Sequence, residues 1–361
     1  MNLTELGWNP EFAHSFESYK TRGLSPARIA RVEREAYLVY SEAGELDAEV
    51  SGKFRHEAES ATDFPAVGDW VAAQPRPDES KATIHAVLPR RSKFSRKVAG
   101  EKTTEQIVAA NVDTLFLVCG LDGDFNVARI ERYLVPAWDS GAAPVIVLNK
   151  ADVCDDAGMR AAEVEAVSCG VPVHFVSALE HDGLDELRPY LVTGKTIALV
   201  GSSGVGKSTL INALLGEDRL DTGETSEWKG RGRHTTTWRE LILLPTGGLL
   251  VDNPGMRELQ LWSDDGSTLD ATFADIEVLA AQCRFRDCRH ENEPGCAVQQ
   301  ALTDGSVAGD RYKRYRKLQR ELRYLAMQQD DKLRREEHTK WKRIAKAQRA
   351  RTQILKRQRG S

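Results

Sequence analysis

Residues 196–215 read TIALVGSSGVGKSTLINALL. A short apolar, β-branched run, Thr196–Val200, leads into Gly201-Ser202-Ser203-Gly204-Val205-Gly206-Lys207-Ser208-Thr209, and an apolar pattern at helical spacing follows. This is G-x-x-x-x-G-K-S placed between a strand and a helix. Its glycines let the backbone wrap a phosphate with N–H groups pointing inward, at the positive end of the new helix. Lys207 would reach the β- and γ-phosphates, and the Ser208 hydroxyl would ligate Mg²⁺. The stretch predicts a nucleoside triphosphate site.

Around it lies a chain of 361 residues, long enough for two or three domains with proper cores. No apolar run approaches the roughly 20 residues of a membrane span, and MNLTELGWNPEF is no signal peptide, so a cytoplasmic location without membrane contact is expected. The net charge of −4 conceals an asymmetry: residues 310–361 carry 19 Lys+Arg against 6 Asp+Glu. An acidic body with a basic tail suggests a polyanionic partner at one end.

Before the phosphate loop, Trp8, Phe12 and Phe16 stand at a four-residue spacing that predicts a docked helix within residues 1–30. Short strand-like runs follow at Ala36–Tyr40, Leu46–Ser51, Val67–Ala73 and Thr83–Leu88, punctuated by glycine and proline. They predict a small closed barrel over residues 31–103, OB-fold or SH3-like, which pattern alone does not separate. The run Arg90-Arg91-Ser92-Lys93-Phe94-Ser95-Arg96-Lys97 reads as a basic loop with a stacking ring for single-stranded or looped nucleic acid, or as a solvated linker.

Thr114–Gly120 and Pro144–Leu148 read as buried parallel strands with helical material between them, and Val173–Val176 as a third. The second ends in Asn149-Lys150-Ala151-Asp152 and the third in Ser177-Ala178. N-K-x-D beside a phosphate loop selects guanine: the Asp152 carboxylate accepts from N1–H and the exocyclic amine. Adenine would leave it unpaired at about 1–3 kcal/mol or more. Asn149 would reach the purine's other edge, Lys150 would cover its face, and the Ala178 N–H would meet O6. After the phosphate loop, Leu241–Leu244 and Gly248–Val251 read as strands, the second ending in Asp252-Asn253-Pro254-Gly255. Asp252 is the expected Mg²⁺ carboxylate, with the Gly255 N–H near the γ-phosphate. Between the phosphate loop and Leu241 lies Gly-Arg-Gly-Arg-His-Thr-Thr-Thr (230–237), a switch-like segment. One of its threonines should complete the Mg²⁺ shell. Met256 cannot orient a water, which leaves His234 as the nearest polar candidate or simply a structural histidine. Most GTPases begin with the phosphate loop, whereas here N-K-x-D precedes it.

Cys283, Cys288, His290 and Cys296 offer three thiolates and one imidazole within fourteen residues, a closed set for tetrahedral, structural Zn²⁺. Tyr312, Tyr315, Leu318, Leu322 and Leu325 fall on one face of a helix predicted over residues 310–328. Beyond Lys332 the chain is basic and polar and is expected to be disordered or to fold on RNA.

With NKAD, GSSGVGKS, GRGRHTTT, DNPG and C-x4-C-x-H-x5-C in this order, the chain resembles the circularly permuted, small-ribosomal-subunit-dependent GTPases of the RsgA family over about residues 30–325. The resemblance implies a multidomain α/β fold: an N-terminal OB-fold barrel, a central circularly permuted P-loop GTPase domain and a C-terminal helical zinc-binding domain. Ranges of 31–103, 104–265 and 266–330 are expected, between an extension at 1–30 and a tail at 331–361. It implies a GTP-hydrolysing factor in late maturation of the small (30S) subunit that binds 16S rRNA, with turnover stimulated by the subunit, and we expect a monomer. His234 then corresponds to the catalytic histidine and Thr236 to the switch residue, joining Ser208 and Asp252 around Mg²⁺, with Lys207 on the phosphates. Asn253 replaces the usual serine or threonine and leaves Asp252 and Gly255 in place. The alternatives are a GTP-switched protein on another RNA, with hydrolysis only a release timer, and a GTPase serving another polyanion such as nucleoid DNA.

Overall fold

The aromatic spacing at the N-terminus does form a helix. α1 (Pro10–Lys20) starts at Asn9, whose side chain accepts from the N–H groups of Glu11 and Phe12. Trp8 and Phe12 lie against Trp70, with ring centroids 4.7 and 5.9 Å away, and Phe16 packs on Trp8. The computed structural model describes residues 1–33, 36–98, 104–220, 239–252, 267–291 and 293–329. The chain divides into two units, residues 1–260 and 261–361.

β1 (Ser25–Val32), β2 (Tyr37–Ser41), β3 (Gly44–Val50), α2 (Gly52–Glu57), β4 (Trp70–Arg76) and β5 (Lys81–Val87) come next. The strands close in the order β1–β2–β3–β5–β4–β1, antiparallel throughout except between β3 and β5. That parallel closure makes it the OB-type barrel rather than an all-antiparallel SH3-like one. Ile29, Val39, Leu46, Val71 and Ile84 fill its interior. β1 begins inside the stretch read as an extension, because two arginines interrupt the alternation of SPARIARV and one of them is buried.

β6 (Lys93–Val98) and β7 (Thr104–Ala110) form a two-stranded antiparallel ribbon. The basic run lies on this ribbon and offers no free stacking ring, and the side chains of Arg96 and Lys97 lie outside the described residues. Phe94 is buried in the core, Arg90 is spent on the buried Asp69 (2.7 Å) and on the carbonyls of Thr62 and Phe64, and Lys93 pairs with Glu105. Arg91 lies over the Phe12 ring and reaches Asp113. A count of cations in sequence does not reveal that these are consumed within the fold.

The nucleotide-type layer follows: β8 (Thr114–Gly120), α3 (Val127–Asp139), β9 (Ala143–Asn149), α4 (Ala157–Ser168), β10 (Val173–Val176), β11 (Thr196–Val200), α5 (Lys207–Leu215), β12 (Arg239–Leu243) and β13 (Leu249–Asp252). The order is β10-β9-β8-β11-β13-β12, parallel except for β12. β8 is buried at every position. Leu115 and Leu117 enter one core with Ile130 and Leu134 of α3, while Phe116 and Val118 enter a second with Leu210 and Ile211 of α5. Period-two alternation between two apolar layers produces the continuous apolar run seen in the sequence. β1 also pairs with β12, at Arg31↔Glu240 and Val32↔Arg239, so barrel and nucleotide layer share one eleven-stranded sheet.

The second unit contains α6 (Ser267–Thr272), α7 (Ala274–Ala280), α8 (Ala297–Asp304) and α9 (Gly309–Gln329). Tyr315, Leu318 and Leu322 are buried as the α9 spacing predicts, and Arg311 forks onto Asp275 at 2.8 Å. The Leu325 side chain and the tail from residue 330 lie outside the described residues. No helix among the described residues is long and apolar enough to cross a membrane.

Arg28 binds the first unit together. Its guanidinium is wholly buried, donating to Gly68 O (3.2 Å), Leu6 O, Asn111 O (3.1 Å) and Thr196 Oγ1 (2.8 Å), over the Trp70 ring. Burial lowers its pKa to about 10, which leaves it charged at neutral pH. Arg28→Met would strip these acceptors on four segments of their donor. It should cost about 2–4 kcal/mol in urea unfolding of the full chain. An unchanged midpoint would show that the barrel and the parallel layer hold together without it.

Candidate functional site

Every strand carrying a motif ends at the same edge of the parallel sheet, with β9 and β10 in register at Asn149↔Val176 and β8 and β11 at Leu117↔Val200. Ligands of open α/β sheets bind outside the carboxyl ends of the strands. The phosphate loop leaves β11 at Gly201, where a Cβ would come within 2.2 Å of Val118 O on the adjacent strand. Gly204 and Gly206 take φ of +81° and +90°, and Gly206 starts α5. A Cβ on Gly206 would fall 2.3 Å from Asn149 Nδ2. Glycine is needed here for the approach of the base motif as well as of a phosphate.

Lys207 folds its ammonium over its own loop, onto Gly201 O (2.7 Å) and Ser202 O (2.5 Å). Ser203 and Gly204 are exposed, while Ser208 and Thr209 sit half-buried in the first turn of α5. Four backbone N–H groups of a helix start have no intrahelical partner, so this geometry presents donors and a cation to an anion.

Asn149 is buried, and both ends of its amide are taken. Nδ2 donates to Val205 O at 2.9 Å and Oδ1 accepts from Ala178 N at 3.0 Å. The base edge expected of Asn149 and the O6 contact expected of the Ala178 N–H are thus replaced, in this structure, by a bond between the two. Lys150 has φ of +65° and holds Asp122 at 2.5 Å. Ala151, Asp152 and Val153 form a single 3-10 turn in which Asp152 is exposed, with no hydrogen-bond or ion-pair partner among the described residues. Ser177 pins the neighbouring turn: its Oγ accepts from Glu180 N at 3.1 Å, and its backbone exchanges two hydrogen bonds with Asp182. Asp152 thus follows by three residues an asparagine bonded to the turn that Ser177 and Ala178 fix.

Asp252 ends β13 across from Glu240 of β12, whose carboxylate takes Arg219 at 2.9 Å. Burial pushes the Asp252 carboxyl up to about 6, and the charge of Glu240 adds to this against the pull of Arg219. A half-buried acid with no ion pair among the described residues is a fitting second-sphere partner for a divalent ion. His234, Thr236, Gly255 and the whole of residues 230–237 lie outside the described residues.

The cysteine module is compact. The ligand atoms of Cys283, Cys288, His290 and Cys296 lie within 4.8 Å of one another. His290 Nδ1 is 3.5 Å from Cys283 Sγ and 3.4 Å from Cys296 Sγ, and the two sulfurs are 3.8 Å apart. That exceeds any disulfide and matches the edge of about 3.8 Å that a tetrahedron with 2.3 Å Zn–S bonds requires. Desolvation, then the neighbouring thiols, pushes the Cys288 thiol up to about 11, a conflict that a bound cation removes. Gln299 Nε2 and the Tyr312 hydroxyl both donate to His290 O, fixing the loop beneath the ring.

Sequence reading missed Asp122 and Asp124, on the turn after β8, and Arg129, in the first turn of α3, which together touch Lys150 and Ser202. The available signal was D-x-D directly after a buried strand at the ligand edge.

A parallel sheet with N-K-x-D ahead of the phosphate loop defines a circularly permuted P-loop GTPase. The RsgA GTPase family profile matches residues 87–262. An ABC transporter profile also matches, over residues 184–357, a span that contains the phosphate loop but begins after N-K-x-D. The chain is 50% identical to the small ribosomal subunit biogenesis GTPase RsgA of Opitutus terrae, covering 98% of this chain and 99% of that one. It is 47% identical to RsgA 1 of Oceanobacillus iheyensis, over 96% and 99%. The crystal structure of YjeQ from Thermotoga maritima is similar with TM-score 0.62 and 30% identity, over 83% of this chain and 98% of that one. YloQ, described as a circularly permuted GTPase, is similar with TM-score 0.61 and 25% identity, over 83% and 95%. The chain belongs to the RsgA GTPase family and is a GTP-hydrolysing enzyme.

Removing the Asn149 amide tests the site's frame. Asn149→Ala leaves Val205 O and Ala178 N unpaired and should weaken GDP binding about tenfold to a hundredfold by equilibrium titration. Unchanged affinity would show that the two loops hold their places independently.

Proposed function

We propose that this chain binds the small ribosomal subunit through its 16S rRNA and assists the subunit's late maturation, hydrolysing GTP at a rate the subunit raises. What supports the reading is the similarity, over nearly the whole chain, to relatives named as small ribosomal subunit biogenesis GTPases. In it Asp152 accepts from the guanine N1–H and amine, and Ser177 and Ala178 close the pocket's other wall with Asn149 as frame. Lys150 and Ala151 flank the base. The loop Gly201–Thr209 cradles the phosphates, with Lys207 swinging from its own carbonyls onto them. Ser208, Thr236 and Asp252 would hold Mg²⁺, which when bound offsets the phosphate charge. The Gly255 N–H meets the γ-phosphate, and His234 orients the attacking water. Cys283, Cys288, His290 and Cys296 hold one structural Zn²⁺. We assign the ranges 31–103, 104–265 and 266–330 to barrel, GTPase and zinc module, with β1 from Ser25 added to the barrel. The protein acts as a monomer in the cytoplasm.

Two measurements check this. GTP turnover by the full chain should rise at least about tenfold when purified small subunits are added, and His234→Ala should abolish the rise. Equal rates with and without subunits would refute the ribosomal role. Elemental analysis should give about one Zn²⁺ per chain, lost in Cys288→Ser. Full occupancy in that variant would remove Cys288 from the ligand set.

A further inference from the structure

The turn that follows β8, Leu121–Asn126, belongs to no nucleotide motif, yet it touches two of them. Asp124 takes a fork from Arg129: one nitrogen, Nη2, meets Oδ1 at 2.9 Å and the other, Nη1, meets Oδ2. The same Nη1 donates to Ser202 Oγ at 2.7 Å, and Ser202 Oγ donates to Asp124 Oδ2 at 3.1 Å. The second residue of the phosphate loop is thereby clipped into a closed ring of three side chains. Two residues earlier, Asp122 takes the Lys150 ammonium at 2.5 Å. The two halves are joined within the turn, because the Asp124 N–H donates to Asp122 Oδ1 at 3.1 Å.

We propose that Asp124 and Arg129 position the phosphate loop and Asp122 positions the base-motif lysine, so that one turn fixes the separation of the two ends of a bound guanine nucleotide. The inference rests on the guanine-nucleotide reading of the site and adds three positioning residues to it. Ordinary stabilisation does not account for the cluster. Arg129 is 30% exposed and Asp124 48%, and Lys150 and Asp122 are each 32% exposed. Ion pairs so open to water add little to folding. Nor does α3 need them for its start, since the Asn126 side chain already accepts from Arg129 N. What the cluster supplies is order in groups that the ligand would otherwise have to immobilise. Each long side chain held in advance saves about 0.5–1.5 kcal/mol on binding, and close to a factor of ten at the upper end.

The turn is also placed to act on both ends at once. β8 lies between β9, which delivers Lys150, and β11, which delivers Ser202. A rigid turn on the central strand is the shortest connection between its two neighbours' loops. Arg129 gives bidentate geometry toward Asp124 while Nη1 also reaches Ser202, a pattern a lysine ammonium imitates only in part.

The test uses the full chain and four variants: Asp122→Asn, Asp124→Asn, Arg129→Met and Arg129→Lys. Equilibrium titration with GDP and steady-state GTP hydrolysis are measured together. Arg129→Met and Asp124→Asn should each weaken GDP binding and raise KM for GTP about tenfold with kcat moved less than about twofold, because a pre-set loop serves ground and transition states alike. Arg129→Lys should recover about half of that loss on a logarithmic scale. Asp122→Asn should weaken GDP binding about threefold to tenfold. Heat denaturation of the nucleotide-free variants should stay within about 2 °C of wild type, as exposed pairs dictate. GDP affinities and KM values for Asp124→Asn and Arg129→Met within about twofold of wild type would overturn the proposal. So would a loss of affinity matched by a fall in the nucleotide-free melting temperature, since that marks a folding defect. A wild-type chain that fails to bind GDP at all would refute the underlying reading of the site instead.

Discussion

The site depends on one buried amide. Asn149 joins Val205 O of the phosphate loop to Ala178 N of the neighbouring turn, and it does so across a glycine that has no room for a side chain. An asparagine is the residue that can donate at one end and accept at the other in so small a volume. Aspartate would lose the donor and leucine would lose both. Because the amide is desolvated, a missing partner at either end is expensive, and the two loops hold one separation. In the proposed guanine-nucleotide site, that separation sets the distance between the base and its phosphates.

Around this crosspiece the chain order is secondary. The strands with base motifs come before β11, and the sheet accepts this because neighbours and directions are preserved. What the permuted order changes is what lies next to what along the chain. β12, which follows the expected switch segment, is the sheet's antiparallel edge, and its free side is taken by β1 of the barrel. The Tyr40 hydroxyl adds a bond to Leu241 O at 3.3 Å, and Arg28 ties the barrel's first strand to the start of β11. Barrel and nucleotide layer are in this way parts of one hydrogen-bonded sheet, with no free strand edge between them.

The parallel layer was legible because β8, β9 and β11 are buried along nearly all their length and read as apolar runs, and because β9, β10, β11 and β13 each end in a motif. The cysteine module was legible from spacing and residue type, and the ligand atoms of Cys283, His290 and Cys296 lie at tetrahedral-edge distances. Other elements hid behind charge. β1 contains an arginine whose charge is satisfied by carbonyls from distant segments, which no local pattern signals. The 90–97 run looked like a surface for RNA, yet Arg90 belongs to a fully buried Asp69 and Phe94 to the core. Asp122 and Asp124 carry no local signal of their partners, Lys150 and Ser202, which only the fold brings to them. Sequence displays a charge; only the fold displays its partner.

The central claim is that Asp152, exposed on its 3-10 turn, selects the base while the framed loop behind it holds the phosphates. Competition against a fluorescent GDP analogue, with GDP, ADP and xanthosine diphosphate as competitors, addresses it directly. Wild type should prefer GDP over ADP by at least about a hundredfold, since adenine leaves the carboxylate without its two donors. Asp152→Asn should turn the preference toward xanthosine diphosphate, whose C2 oxygen accepts from an amide and is repelled by a carboxylate. Equal competition by ADP, or an unchanged order of preference in Asp152→Asn, would contradict the claim.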